Sequence, residues 1–204
     1  MKEIAPGLYH WTAMHPRIQF EVSSYFVSDS ATLIDPVVPP DEGLEWFRGE
    51  HEPQTIALTN RHHDRECERF CAEFELGPVL VPEAGLHEFE GKSLEVVSYA
   101  GGEEIVPGIL VHEVGAIAPD DMALEIRSVG ALALADSVVN PGNGLSFVPD
   151  NYMDDPDQTK VRLAESLETL LDVDFDTLLF AHGEPIVGGG KRALREFLAS
   201  DPAA

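Results

Sequence analysis

Short apolar runs that stop on a polar residue recur along the chain and constrain its fold more than any other feature. "ATLIDP", "TIALTN", "ALALADSVV" and "DTLLFAHGEP" each carry a strand-length apolar stretch into an Asp, Asn or His. Such runs read as strands buried on both faces, which must be covered by helices. Two helical patterns supply the cover. "DRECERFCAEFEL" spaces Cys67, Phe70, Cys71 and Phe74 for one face before Gly77 and Pro78, and "DQTKVRLAESLETLLD" does the same with Val161, Leu163, Ala164, Leu167, Leu170 and Leu171. "SSYFVS" and "ATLIDP" predict adjacent strands, "EGLEWFRGEH" a helix, "MALEIRSVGALALADSVV" a hairpin turned near Gly130, and "GKRALREFLAS" a last helix. The class is therefore α/β. With 204 residues, no repeat and no Ser/Gly linker, a single domain over 1–204 is expected.

Thirteen basic residues against thirty-seven acidic ones give a formal charge of −24, which repels phosphate backbones and anionic lipid heads. No nucleic acid and no membrane is expected as a partner. The first residues carry no signal-peptide pattern and no later segment has the length of an apolar span, so a cytoplasmic protein is expected. Cys67 and Cys71, four apart on one helix, read as reduced thiols rather than a disulfide. The sequence leaves the oligomeric state open.

The polar residues at the strand ends, Asp35, Asn60 to Asp64, Asp136 and His182, fall where sheets flanked by helices collect ligand sites. His63 is expected to face solvent or a neighbouring acid, His10, His15, His51 and His87 to lie at the surface or in caps, and Asp35 to serve the fold. Phe147, Tyr152 and Met153 in the loop 140–156 suggest an apolar wall at a pocket mouth.

The order "TLIDP", "LTNRHHDR", "HEVGAIAPDDMAL", "ALALADSVV", "LLFAHGEP" resembles the metallo-β-lactamase fold shared with glyoxalase II-like hydrolases, which implies an αββα sandwich. In that family the first loop reads Thr-His-x-His-x-Asp-His, a later turn adds a His, and an Asp and a final His complete a two-metal set. Here the loop aligns as Thr59, Asn60, Arg61, His62, His63, Asp64, Arg65, so Asn60 and Arg65 replace two histidines, and the middle histidine falls near Ala116. His112, four residues earlier, is the one replacement candidate. The metal ligands implied by the resemblance are His62, Asp64, Asp136 and His182. They would hold at most one ion, Zn, Mn or Fe, or none.

Three functions follow, and whether the chain is an enzyme stays open among them. The first is a mononuclear metal-dependent hydrolase of a small ester, thioester or amide, with Asp64 orienting the attacking water. The second is a metal-free, non-catalytic member of the fold in which Arg65 locks the old site through salt bridges to Asp64 and Asp136. The third is a metal-independent enzyme in which Arg65 binds a substrate carboxylate or phosphate and His62 or His182 acts as base. The first and third imply a small-molecule substrate, and in the second the pocket binds a ligand or nothing.

Overall fold

Each buried apolar run becomes a strand. The computed structural model describes residues 1–15 and 17–200, and the chain divides into two units, Met1–Tyr99 and Ala100–Ala204, each with its own sheet and apolar core.

The first unit holds a seven-stranded sheet whose strands lie in chain order. These are β1 (Lys2–Ala5), β2 (Leu8–Met14), β3 (Glu21–Val27), β4 (Thr32–Ile34), β5 (Thr55–Ala57), β6 (Val79–Pro82) and β7 (Val96–Tyr99). β1 to β4 pair antiparallel in succession, and β4 to β7 pair parallel. Parallel pairing needs crossovers, and helix α1 (Cys67–Phe74) supplies the one between β5 and β6. Its inner face buries Cys67 and Phe70 in a core with Phe26, Phe47, Ile56 and Leu58. Phe70 meets Phe47 edge to face, with ring centroids 5.2 Å apart. Cys67 is fully buried and Cys71 half-buried, both as free thiols.

The helix expected over "EGLEWFRGEH" forms instead as two 3₁₀ turns, Leu44–Phe47 and Gly49–His51. Gly43 and Gly49 take φ values of 62° and 76°, which an α-helix cannot accommodate, so the segment breaks at both.

The second unit builds its five-stranded sheet from β8 (Glu104–Val106), β9 (Ile109–Glu113), β10 (Met122–Ile126), β11 (Ala131–Leu134) and β14 (Thr177–Phe180), in the order β14-β11-β10-β9-β8. β10 and β11 form the expected hairpin, with Gly130 left-handed at its turn. β12 (Val138–Val139) and β13 (Ser146–Phe147) make a separate small ribbon. The crossover from β11 to its parallel neighbour β14 contains α2 (Pro156–Leu170), and α3 (Gly190–Ala199) follows β14. Asp155 caps α2 by accepting the Gln158 N–H at 3.2 Å, and Pro156 occupies the first turn, where no N–H is missed.

Leu163, Leu167 and Leu170 of α2 and Leu194 of α3 share one core with Leu132, Leu134, Leu178 and Phe180. Val161, expected on the same face, is 48% exposed. Phe147 and Met153 are buried in this core, where Phe147 meets Phe197 edge to face, and only Tyr152 of the expected apolar wall stands in solvent. Among the described residues no helix is long and apolar enough to cross a membrane.

Candidate metal centre

In the second unit the parallel pairing of β11 and β14 sets Leu134 opposite Phe180. Asp136 and His182 each lie two residues beyond that pair, so equal register brings them side by side, with His182 Nε2 3.3 Å from Asp136 Oδ1. The backbone on both sides is clasped. The Asp136 N–H donates to Asp121 Oδ1 at 3.1 Å, and the Asn140 N–H donates to the His182 carbonyl at 3.1 Å. Gly183 takes φ 97° and lies so close to Asn140 that a Cβ there would stand 1.9 Å from its carbonyl oxygen. Glu184, expected either to orient His182 or merely to form a turn, is exposed, and its carbonyl accepts from Asn140 Nδ2.

In the first unit β4 and β5 run parallel with Ile34 opposite Ala57, which puts Asp35 beside Thr59. Asp35 holds φ 48°, a left-handed conformation that aspartate tolerates better than most residues, and is 2% exposed. Its carboxylate accepts from the Thr59 N–H at 2.8 Å, from Thr59 Oγ1 at 2.5 Å and from His63 Nδ1 at 2.8 Å. Burial opposes its ionisation, but the His63 ring, the Arg65 guanidinium and the Thr59 hydroxyl outweigh burial and hold the carboxyl below the usual carboxylate range.

The inward histidine of "NRHHDR" is thus His63, and His62 is exposed. His63 faces a neighbouring acid, one of the two directions expected for it, and is buried there rather than in solvent. Asn60 decides it: its Oδ1 accepts the His62 N–H at 2.9 Å, and this side-chain turn rolls the next residue inward. Asn60 Nδ2 lies 3.3 Å from His63 Nε2. Buried Asp35 and Thr59 were the available signal, since both polar side chains needed a partner from this loop.

Asp64 pairs with Arg17 at 2.5 Å and Lys92 at 2.7 Å, not with Arg65. Arg65, 9% exposed and with φ 33°, donates through Nη1 to the Ser23 carbonyl and, at 2.7 Å, to the Asp35 carbonyl. The left-handed turn at Arg65 aims Nη1 at β3 and the end of β4. His10 and His15 are buried rather than superficial. His10 stacks on Tyr25 and contacts Ser23 Oγ at 3.2 Å, whereas His15 Nδ1 accepts the Arg17 N–H at 3.1 Å. His112 pairs with Glu125 at 2.9 Å in the middle of its sheet, and Ala116 is buried in the second core.

The donor chemistry suits a metal. Two ligand atoms, each about 2.0–2.1 Å from a tetrahedral ion, stand roughly 3.4 Å apart. The 3.3 Å between Asp136 and His182 matches that edge. In the first unit, His63 Nδ1 lies 2.8 Å from the Asp35 carboxylate, the kind of contact that orients a metal-binding imidazole.

No family sequence profile matches the chain, and no curated protein matches it in sequence. Solved structures do. A metallo-beta-lactamase family protein from Thermus thermophilus superposes with a TM-score of 0.67 at 19% identity over 98% of this chain and 81% of its own. The DIM-1 metallo-beta-lactamase gives 0.72 at 13% identity over 98% and 96%. Rubredoxin oxygen:oxidoreductase from Desulfovibrio gigas gives 0.69 at 14% identity over 97% of this chain but only 60% of its own. Mixed sheets, flanking helices and these superpositions together show that the chain has the metallo-beta-lactamase fold, the α/β sandwich that its sequence resembles.

Proposed function

We propose that the chain is a hydrolase of a small ester, thioester or amide that uses a single metal ion, with Asp136 and His182 of the second unit among its ligands. The observation that carries this reading is the pairing of these two side chains, whose ligand atoms stand 3.3 Å apart at equal strand register. A bound Zn, Mn or Fe ion would supply a Lewis acid and a water ionisable near neutral pH. Asp136 brings the negative charge such an ion needs, and His182 is aligned with it by strand register. Burial opposes ionisation of Asp64, but Lys92 and Arg17 outweigh it and hold the carboxyl below the usual carboxylate range; an ionised carboxylate of this kind would serve to orient a water.

A metal-free scaffold is the second reading, favoured by the loop that carries metal ligands in the family the sequence resembles: here both ring nitrogens of His63 lie against side chains of the first unit, Nδ1 2.8 Å from Asp35 Oδ2 and Nε2 3.3 Å from Asn60 Nδ2. Elemental mass spectrometry of the full chain, purified without chelator or histidine tag, separates the two. About one equivalent of metal, retained in His62→Ala and lost in Asp136→Ala/His182→Ala, is the expected outcome. A folded protein that carries no metal and takes up neither added Zn nor Mn would abandon the hydrolase reading for the scaffold.

A further inference from the structure

The antiparallel ladder of β10 and β11 sets Ala123 opposite Leu134. Two residues further out, the same register sets Asp121 opposite Asp136, and Asp121 Oδ1 there accepts the Asp136 N–H at 3.1 Å. The two acids differ in surroundings: Asp121 is 1% exposed, whereas the Asp136 side chain is 28% exposed and stands beside His182. Asp121 is also held through its backbone. Its carbonyl accepts from the Val114 N–H at 3.1 Å and the Gly115 N–H at 3.0 Å, and its own N–H donates to the Ala118 carbonyl at 3.0 Å. These bonds close the turn after β9, where Gly115 takes φ 65° and Ala116 is buried in the second core. The acceptor for Asp136 thus springs from backbone that is itself fixed. An apolar residue at this buried position would cost less desolvation but would leave the Asp136 N–H without this acceptor.

We propose that Asp121 is a positioning residue of the metal centre, one that acts through Asp136 rather than as a ligand. Asp136 lies past Leu134, the last residue of β11, so the Asp121 bond takes over where strand pairing stops fixing the backbone. It thereby sets the direction in which the Asp136 carboxylate meets an ion shared with His182. The inference rests on the single-metal reading and deepens it. Partners that orient a ligand in this way are worth about 10- to 100-fold in metal affinity.

Calorimetric titration of the full chain with zinc chloride, and visible absorption of the cobalt-loaded protein, test it in the wild type and in Asp121→Asn, Asp121→Ala and Asp121→Ser. Asn keeps an oxygen at the acceptor position but cannot be charged, and Ala removes the acceptor. Ser withdraws the oxygen toward the backbone yet leaves a polar group in the buried site, which serves if the Ala variant does not fold. Zinc affinity is expected to fall about 10- to 100-fold with Ala and Ser and to stay within severalfold of wild type with Asn. The cobalt bands are expected to shift with Ala and Ser and to be restored with Asn. A loss of stability alone would move neither the bands nor the affinity of the folded protein. Folded Ala or Ser variants that bind zinc as the wild type does, or an Asn variant that loses as much as Ala, would overturn the proposal and leave the metal reading standing. Wild-type protein that takes up neither zinc nor cobalt would overturn both.

Discussion

Asp35 accepts three hydrogen bonds from Thr59 and His63 while almost wholly buried, so replacing it removes acceptors that no water can reach. Asp35→Asn puts an amide N–H₂ or a weaker neutral acceptor against His63 and leaves the ring unheld. Breaking a buried charged pair of this kind costs about 3–5 kcal/mol, and urea denaturation of the variant at pH 7 is expected to show a loss of that order. His10 yields a pH prediction with a definite sign. Burial first, then the charges of Lys2 and the N-terminus, lower its pKa to about 4. The unfolded chain, with an ordinary value near 6.5, therefore binds more protons between these limits, and stability rises with pH across that window. The span corresponds to about 3 kcal/mol at most. Chemical denaturation at about pH 7 and about pH 4.5 should show that slope in the wild type and a shallower one in His10→Gln; equal slopes would mean His10 is charged when folded. Residues were the least legible scale of the sequence. The polar strand ends that carry Asp35, Asp136 and His182 could be read because apolar runs visibly stop at them. The choice between His62 and His63 could not, since it turns on one side-chain hydrogen bond from Asn60 that shifts direction by a single residue.

Elements were legible where local chemistry and tertiary need agreed. The Asp155-Pro156 start of α2, the Gly130 turn and the stop after α1 all follow from capping and turn rules, and all formed. The β1–β2 hairpin went unassigned because "LYHWTAM" buries His10 and Trp11 in succession, which breaks the alternation that marks a half-buried strand. The turn after β14 gives the prediction at this scale. Gly183→Ala must move Asn140, since an added Cβ would meet its backbone oxygen at 1.9 Å and φ 97° is strained for any L side chain. A loss of about 2–3 kcal/mol is expected on denaturation, and, on the proposed single-metal reading, weaker metal uptake, because the clasp that aligns His182 with Asp136 would shift. Wild-type stability in this variant would show that the loop has slack the close approach conceals.

Across the whole molecule the order of strand ends made the fold recognisable, even though the likeness to solved structures lies at 13–19% identity in the two metallo-beta-lactamase comparisons. No family sequence profile matches the chain, whereas strand order and strand ends persist because the sheets need them. Net charge acts at this scale too. A formal charge of −24 repels itself in the compact state, and screening reduces that repulsion. The midpoint of thermal unfolding is expected to rise as NaCl is added from low salt to about 0.5 M, where the screening length falls to roughly 4 Å; a falling midpoint would mean that ion pairs such as those of Asp64 contribute more than the repulsion removes.

The two thiols of α1 have a use that follows from their unequal burial. Cys67 has no exposed surface, and burial raises its pKa well above that of a free thiol, whereas Cys71, one turn further along, is only partly covered. A thiolate reagent should therefore modify Cys71 in the native protein and reach Cys67 only when the helix leaves its core. The helix thus carries its own clock: the ratio of the two labelling rates counts how often the first core opens, without any probe having to be introduced.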